Sequence, residues 1–415
     1  MRVALLTNIV PPYRVPVYEA LAATPEWTLR VLVSADSEFD RSWSVDSRGL
    51  DVVRVGSGSI QHRLRTRGPG GFDQRGTLHV PFGLPGALHR FDPDLVISSE
   101  LGARTLIALL FCKLRRIPLV IWSYHSRVSA TAAGPIRRAL RRILLSQADA
   151  VVGMGRQARE VLESLGVPPD RLFDAPNVCD LDAIEDIRSR LGTESRFPSF
   201  GQETLGQKTG RDLGSRRRVA LVAGRLVPMK GLAELLEAWG RVPASVRREW
   251  SLLFVGSGPL LPLIREAVIA GAPGEILHVP AVAPDDLVRI YAASELLVFP
   301  SLGDPWGLVV NEAFACARPV LCSRLAGCAD DLVRPDENGW LMDPTDSDAF
   351  ARVIEEALTT SDRARLGAGA RATAEQFRPE RLAGGLRRAA VHAAASHPER
   401  SATARPGRAR PKAAQ

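Results

Sequence analysis

A chain of 415 residues, 45% hydrophobic, 24% charged and 6% aromatic, has the make-up of a soluble globular protein of two to three domains at roughly 100 to 200 residues each. Collagen-like, coiled-coil and wholly disordered classes are excluded. The formal charge of +8 sits in two segments, with Arg405, Arg408, Arg410 and Lys412 in 401–415 and Arg137, Arg138, Arg141 and Arg142 in 134–145. That placement lacks the interleaved basic and aromatic residues of a nucleic-acid surface.

Taken in order, the apolar run 1–10 is cut at Asn8 and has no small-residue cleavage site, so a buried first strand is expected in place of a secretion signal. Strands are expected at 3–7, 29–33, 95–98, 119–122 and 151–153, alternating with helices, the signature of a parallel sheet covered on both faces. The apolar stretch 105–112 is far shorter than the roughly 20 residues that span a bilayer. Between 193 and 217 only Leu205 and Leu213 are aliphatic, which marks an interdomain linker. Strands resume at 219–222, 252–255, 276–279, 296–299 and 320–322, with helices at 232–239 and 260–270 among them. From 346 to about 395 the pattern is helical.

The expected domains are therefore 1–192 on the acceptor side, 193–217 as linker and 218–375 on the donor side. A C-terminal helix, 376–396, is expected to return to the first domain, before a disordered basic tail, 397–415. Cys112, Cys179, Cys316, Cys322 and Cys328 are odd in number and sparse, as suits reduced thiols in a cytoplasm. No CxxC pair accompanies them, so they are expected to be small buried hydrophobes and not metal ligands.

The segment after the first strand, Asn8 to Arg14, contains no glycine, which rules out a dinucleotide site needing close backbone approach to a pyrophosphate. Chemistry concentrates instead in the second half. Gly224 to Gly231 follows a strand and carries Arg225 and Lys230, the latter one of only four lysines in the chain. Two cations at a strand's carboxyl end can neutralise a diphosphate, as Mg²⁺ does elsewhere; a pair of surface cations flanking a turn is the alternative. In the stretch from Phe299 to Ala313, Pro305 is expected to open a helix, and Gly307 lets a ligand reach the amides of Gly307 and Leu308, whose partial charge favours phosphate. Glu312, about 6 Å further along the same face, can accept both hydroxyls of a ribose. Asp304 is placed to accept from hydroxyls of a sugar beyond the phosphates.

These two stretches resemble the donor-site motifs of the retaining glycosyltransferases of family 4 (glycosyl transferases group 1). The turn from Val255 to Pro259, the helix from Glu312 to Cys316 with Pro319 and Val320 after it, and Asn338-Gly339 match the same pattern. The resemblance implies the GT-B fold, two Rossmann-like doubly wound parallel-sheet domains facing across a cleft. It also implies that Arg225 and Lys230 bind the donor's diphosphate, that Glu312 binds ribose, and that Asp304 stands at the first acidic position, where the family usually has Glu. The family's glycine-rich turn after the first strand is replaced here by Pro11-Pro12-Tyr13-Arg14.

His125 ends a strand on the cleft side, where the family often carries a histidine near the donor sugar; a structural histidine is the alternative. Tyr13 and Arg14 face the same cleft and are candidates to touch acceptor or phosphate. Asp92-Pro93-Asp94 precedes a strand, the wrong end for a metal-binding DxD, and is expected to be a turn. In 134–145, Ile136, Leu140, Ile143 and Leu144 recur at helical spacing against four arginines, fitting either peripheral contact with anionic lipid or a core-packed helix with a solvated basic face.

The expectation is a cytoplasmic enzyme that moves a sugar from a nucleotide-diphosphate sugar to a hydroxyl of a glycan, lipid-linked or small-molecule acceptor, with retention and without cofactor or metal. Its rivals are a catalytically inactive donor-binding subunit and a basic nucleic-acid-binding protein.

Overall fold

The computed structural model describes residues 1–36, 47, 49–65, 73–131, 134–191, 218–270 and 275–397. The expected linker 193–217 and the tail from 398 onward lie outside the described residues.

The strands are β1 (Arg2–Thr7), β2 (Thr28–Val33), β3 (Val52–Arg54), β4 (Gly58–Arg65), β5 (Asp73–Val80), β6 (Leu95–Ser99), β7 (Leu119–Ser123), β8 (Ala150–Gly153) and β9 (Leu172–Asp174) in the first half. The second half has β10 (Arg218–Ala223), β11 (Trp250–Val255), β12 (Glu275–Val279), β13 (Leu296–Phe299), β14 (Val320–Ser323) and β15 (Gly339–Met342). They form a sheet ordered β3-β2-β1-β6-β7-β8-β9, a second ordered β12-β11-β10-β13-β14-β15, and a separate β4-β5 ribbon. Every pairing in the two large sheets is parallel, and the ribbon is antiparallel. The architecture is GT-B, two Rossmann-like domains.

Such strands are buried on both faces, so they read as continuous apolar runs. Val3, Ala4, Leu5 and Leu6 are all fully buried. The two-residue period then splits them between layers. Val3 and Leu5 pack in one core with the helices Val15–Ala22 and Pro379–Ala395, while Ala4 and Leu6 pack with Leu84–Phe91 and Ala103–Arg115.

In each sheet the strand order reverses direction once, between β1 and β6 in the first and between β10 and β13 in the second. A reversal leaves a crevice at the carboxyl ends of the two strands, because their connections leave on opposite faces. The loops after β1, β6, β10 and β13 therefore line the places where a ligand fits.

The C-terminal helix Pro379–Ala395 lies on the first domain, against Val15–Ala22, β7, β8 and β9, while the helix Leu181–Ser189 packs on Pro284–Ala293 and Leu308–Ala315 of the second. Chain segments thus cross in both directions. Asp180 caps the second of these crossing helices by accepting from the Ala183 amide at 3.1 Å, satisfying one of its orphan donors. Asp92 ends a helix in left-handed conformation, and Asp94 accepts from the Arg2 amide at 2.7 Å, at the amino ends of β1 and β6 and opposite the crevice. All five cysteines are buried, and none forms a disulfide. Among the described residues no helix is long and apolar enough to cross a membrane, and no cluster of three or more His, Cys, Asp or Glu could hold a metal ion.

Candidate active site

The second domain's crevice is built from two loops stitched together. After β10, the Gly224 amide donates to Val255 O (3.0 Å) and the Leu226 amide to Ser257 O (3.0 Å), which fixes Arg225 between them. The chain then makes a 3₁₀ turn, Pro228–Lys230. After β13, Ser301 Oγ and the Leu302 amide both donate to Met229 O, at 3.1 and 2.8 Å. Two distant segments are held as one surface by these bonds.

Within that surface Lys230 Nζ donates to Asp304 Oδ2, with both side chains about 85% buried and the ammonium 5.0 Å from the centre of the Phe299 ring. Asp304 Oδ1 accepts from the Trp306 amide at 3.1 Å. Burial would raise the Asp304 carboxyl, but the Lys230 charge and hydrogen bond, the Trp306 amide and the Arg225 charge outweigh it and hold the group below its ordinary value. Both Asp304 oxygens thus have partners inside the protein. The sequence reading placed this carboxylate on a sugar's hydroxyls, whereas the structure places it on Lys230.

The helix Leu308–Ala315 starts at Gly307, not at Pro305, as its N-cap has φ +107°. A Cβ there would lie 2.4 Å from the Phe299 ring, so glycine is needed both for the left-handed turn and for the fit. The amides of Gly307 and Leu308 begin this helix, which has no side-chain cap, and Glu312 follows one turn in. Tyr291, fully buried, donates its hydroxyl to Glu312 Oε2 at 2.9 Å. Burial raises the Glu312 carboxyl, and the Tyr291 hydrogen bond offsets part of that rise. Trp306 donates from Nε1 to Asn311 Oδ1 at 2.8 Å, locking the loop to the helix it precedes.

From the first domain, the segment after β7 closes on this surface. A Cβ on Gly303 would come within 2.5 Å of Val128, three residues beyond His125, so the His125 and Asp304 loops touch. His125 Nδ1 is 2.8 Å from Ser123 Oγ. Burial, helped by the Arg141 charge, pushes its pKa down to about 3, so the imidazole is neutral at physiological pH. The domains are joined nearby by the Arg156 amide donating to Asp331 Oδ2 (2.9 Å) and Gln157 Nε2 donating to Ala326 O (2.9 Å).

The sequence matches two family models, "Glycosyl transferase 4-like domain" over residues 12–177 and "Glycosyl transferases group 1" over residues 207–373. The chain belongs to the group 1 glycosyltransferases. Its curated relatives include a D-inositol 3-phosphate glycosyltransferase of Acidothermus cellulolyticus, 29% identical over 60% of this chain and 55% of that protein. The chain spans about half the length of the curated relatives it matches. Among solved structures, Anabaena Alr3699/HepE in complex with UDP superposes with a TM-score of 0.67 at 19% identity, covering 94% of this chain and 99% of that one. Its complex with UDP-glucose gives 0.63 at 18%, covering 97% and 100%. At that identity the likeness is one of fold.

In this group 1 glycosyltransferase, then, the structure brings Gly224, Arg225, Lys230, Asp304, Gly307 and Leu308 to one crevice, sets Glu312 one turn beyond, and lays the His125 loop against it. Tyr291 was missed from sequence. It lies 21 residues from Glu312 on another helix, and a tyrosine in an apolar stripe carries no signal of what its hydroxyl meets.

Proposed function

We propose that the chain transfers a glycosyl group from a nucleoside-diphosphate sugar to an acceptor hydroxyl, with retained anomeric configuration and without a metal ion. The observation that carries this reading is the convergence, at the β10/β13 reversal, of Arg225, Lys230 and a helix N-terminus, with Glu312 one turn further. A diphosphate fits the cations and the helix amides, and the ribose fits the carboxylate. Solved structures of the same fold hold UDP and UDP-glucose, which supports a nucleotide-sugar donor.

In the reaction the bond from the anomeric carbon to the diphosphate breaks, the acceptor oxygen bonds to that carbon on the same face, and the acceptor proton passes to a phosphate oxygen. Charge gathers on the departing diphosphate, where Lys230, Arg225 and the amides of Gly307 and Leu308 stabilise it. In this reading neutral His125 hydrogen-bonds the sugar without bringing a charge of its own.

Peripheral contact with anionic membrane belongs to the same reading. On the helix Pro135–Ser146 only Leu144 and Leu145 are buried, while Ile136, Leu140 and Ile143 are 86%, 47% and 60% exposed beside Arg137, Arg138 and Arg142. The neighbouring helix Ala103–Arg115 exposes Leu106, Leu110 and Leu114. From 101 to 148 there is no acidic residue and there are nine basic ones. An apolar stripe edged only by cations suits an anionic lipid surface on the cytoplasmic side.

Saturation-transfer NMR of the full chain against UDP-, GDP-, ADP- and TDP-sugars, followed by product analysis with the sugar that binds, tests the reading. Binding of at least one, with release of its nucleoside diphosphate, is expected. Absence of binding by all four would overturn it.

A further inference from the structure

The reversal between β1 and β6 in the first domain has a ligand-sized question of its own. Arg14 ends the 3₁₀ turn Pro12–Arg14 after β1 and is 5% exposed. Its guanidinium carbon lies 4.4 Å from the centre of the Trp122 ring, 5.4 Å from Tyr124 and 5.5 Å from Tyr13, so aromatic side chains surround it. Its Nη1 is buried without a hydrogen-bond partner, and so is the indole Nε1 of Trp122 beneath it. No carboxylate of a described residue pairs with it. Glu100, at the end of β6, is taken up by Arg104 at 3.3 Å and Asn8 at 3.1 Å.

A guanidinium drawn out of water is costly when no anion or full set of acceptors replaces the solvent. Ring faces repay part of that cost, but they leave the in-plane donors of Nη1 unmet. A guanidinium whose Nη1 has no partner matches the oxygen of a phosphate or a carboxylate. It also stands at the strand ends where doubly wound folds take their ligands. The donor's diphosphate already has Arg225, Lys230 and a helix N-terminus in the other domain. Trp122, under Arg14, is followed directly by Ser123, the partner of His125, which sets Arg14 on the first-domain side of the reacting sugar.

We propose that Arg14 is the receptor for an oxyanion, phosphate or carboxylate, carried by the acceptor. The proposal rests on the donor-site reading above for what it calls the acceptor side; the anion site itself rests on Arg14 and its aromatic cage.

The test uses the full chain, its Arg14→Met and Arg14→Lys variants, and two probes, inorganic phosphate and UDP, or the nucleoside diphosphate that the sugar panel selects. Melting temperature is followed against phosphate at constant ionic strength, with the nucleotide present to fill the donor site. The wild type should show a saturable phosphate-dependent rise. Arg14→Met should weaken phosphate binding at least tenfold, keep nucleotide affinity within twofold, and melt in chloride no lower than wild type, since it removes an uncompensated buried cation. Arg14→Lys, which keeps the charge and loses the fork, should weaken phosphate binding at least threefold and serves if the methionine variant fails to fold.

No saturable rise in wild type, or the same rise in the folded variants, would overturn the proposal. A tenfold loss of nucleotide affinity in Arg14→Met would do so too, by placing Arg14 on the donor's diphosphate, and a fall in its melting temperature in chloride would make the aromatic cage a structural clamp. Failure of wild type to bind any nucleoside diphosphate would instead sink the donor-site reading, and the phosphate titration without nucleotide would still decide on Arg14.

Discussion

Lys230 and Asp304, 74 residues apart in sequence, form a largely buried ion pair across the seam between β10 and β13. The Lys230 charge is therefore neutralised from within the protein. A diphosphate reaching Lys230 must compete with a carboxylate that is already there, and Asp304 sets how readily the ammonium is given up.

Asp304→Asn should for that reason tighten binding of the free nucleoside diphosphate several-fold while lowering turnover of the intact sugar donor at least tenfold, because Lys230 is freed but no longer oriented. Paired calorimetric and kinetic titrations read the split. A variant that loses both equally would show Asp304 to be simply a donor ligand.

Lys230→Ala should cost about 10²- to 10³-fold in kcat, the usual effect of removing one charge-stabilising group from a developing anion. It also strands a buried carboxylate, with a stability loss of about 3 kcal/mol at neutral pH. The acid response should change as well. In wild type Asp304 titrates below its unfolded value, so its contribution is present above that value and lost as pH falls through the folded pKa. Without Lys230, only the Trp306 amide and the Arg225 charge still oppose burial, so the folded pKa rises and the loss of stability on acidification should shrink. Urea melts from pH 7 to 4 check this.

Tyr291→Phe removes the hydroxyl that holds Glu312 and should weaken nucleoside diphosphate binding by about 3- to 10-fold, the size of one ordinary hydrogen bond acting through the carboxylate. The loss should be smaller for the 2′-deoxy nucleotide if, as proposed, Glu312 contacts the ribose. Equal losses with both nucleotides would mean that Tyr291 acts on packing alone.

His125 should leave an acid-side mark on stability, not on rate. Unfolded histidine takes its proton near 6.5, but folded His125 takes it only near 3. Between those values the unfolded state binds more protons, so stability falls as pH drops from about 6.5. His125→Gln should flatten that part of the profile, and turnover in wild type should show no inflection near 6.5 from this residue. An inflection that disappears in the variant would contradict the neutral imidazole.

Changing Ile136, Leu140 and Ile143 to Ser should abolish flotation with anionic vesicles while leaving the melting temperature within about 2 °C, because exposed positions contribute little to the fold. A large drop in melting temperature would return the stripe to the core.

How far the sequence carries depends on which interactions are local. The strands of both sheets were legible wherever burial on two faces makes a continuous apolar run, as at 3–6 and 219–222. β3 and β9 were not, being three residues long, nor was β15, a four-residue strand that opens on Gly339, nor were β4 and β5, whose residues pair with each other and include arginine, histidine and glycine. Pro305 misled as a helix start, because Gly307 and the Phe299 ring, not the proline, fix where the helix begins. Arg225, Lys230, Gly307 and Glu312 could be chosen from spacing after a strand. The pairing of Lys230 with Asp304, the Tyr291 support and the burial of Arg14 depend on strand order, which no local window contains.

The most direct test of the central claim is calorimetric titration of the full chain, in excess EDTA, with the nucleoside diphosphate of the sugar that binds. The account predicts saturable one-to-one binding, weakened at least tenfold by Glu312→Gln and by Lys230→Ala. Binding that requires added Mg²⁺ or Mn²⁺, or that survives both substitutions unchanged, would contradict a metal-free donor site built from these residues.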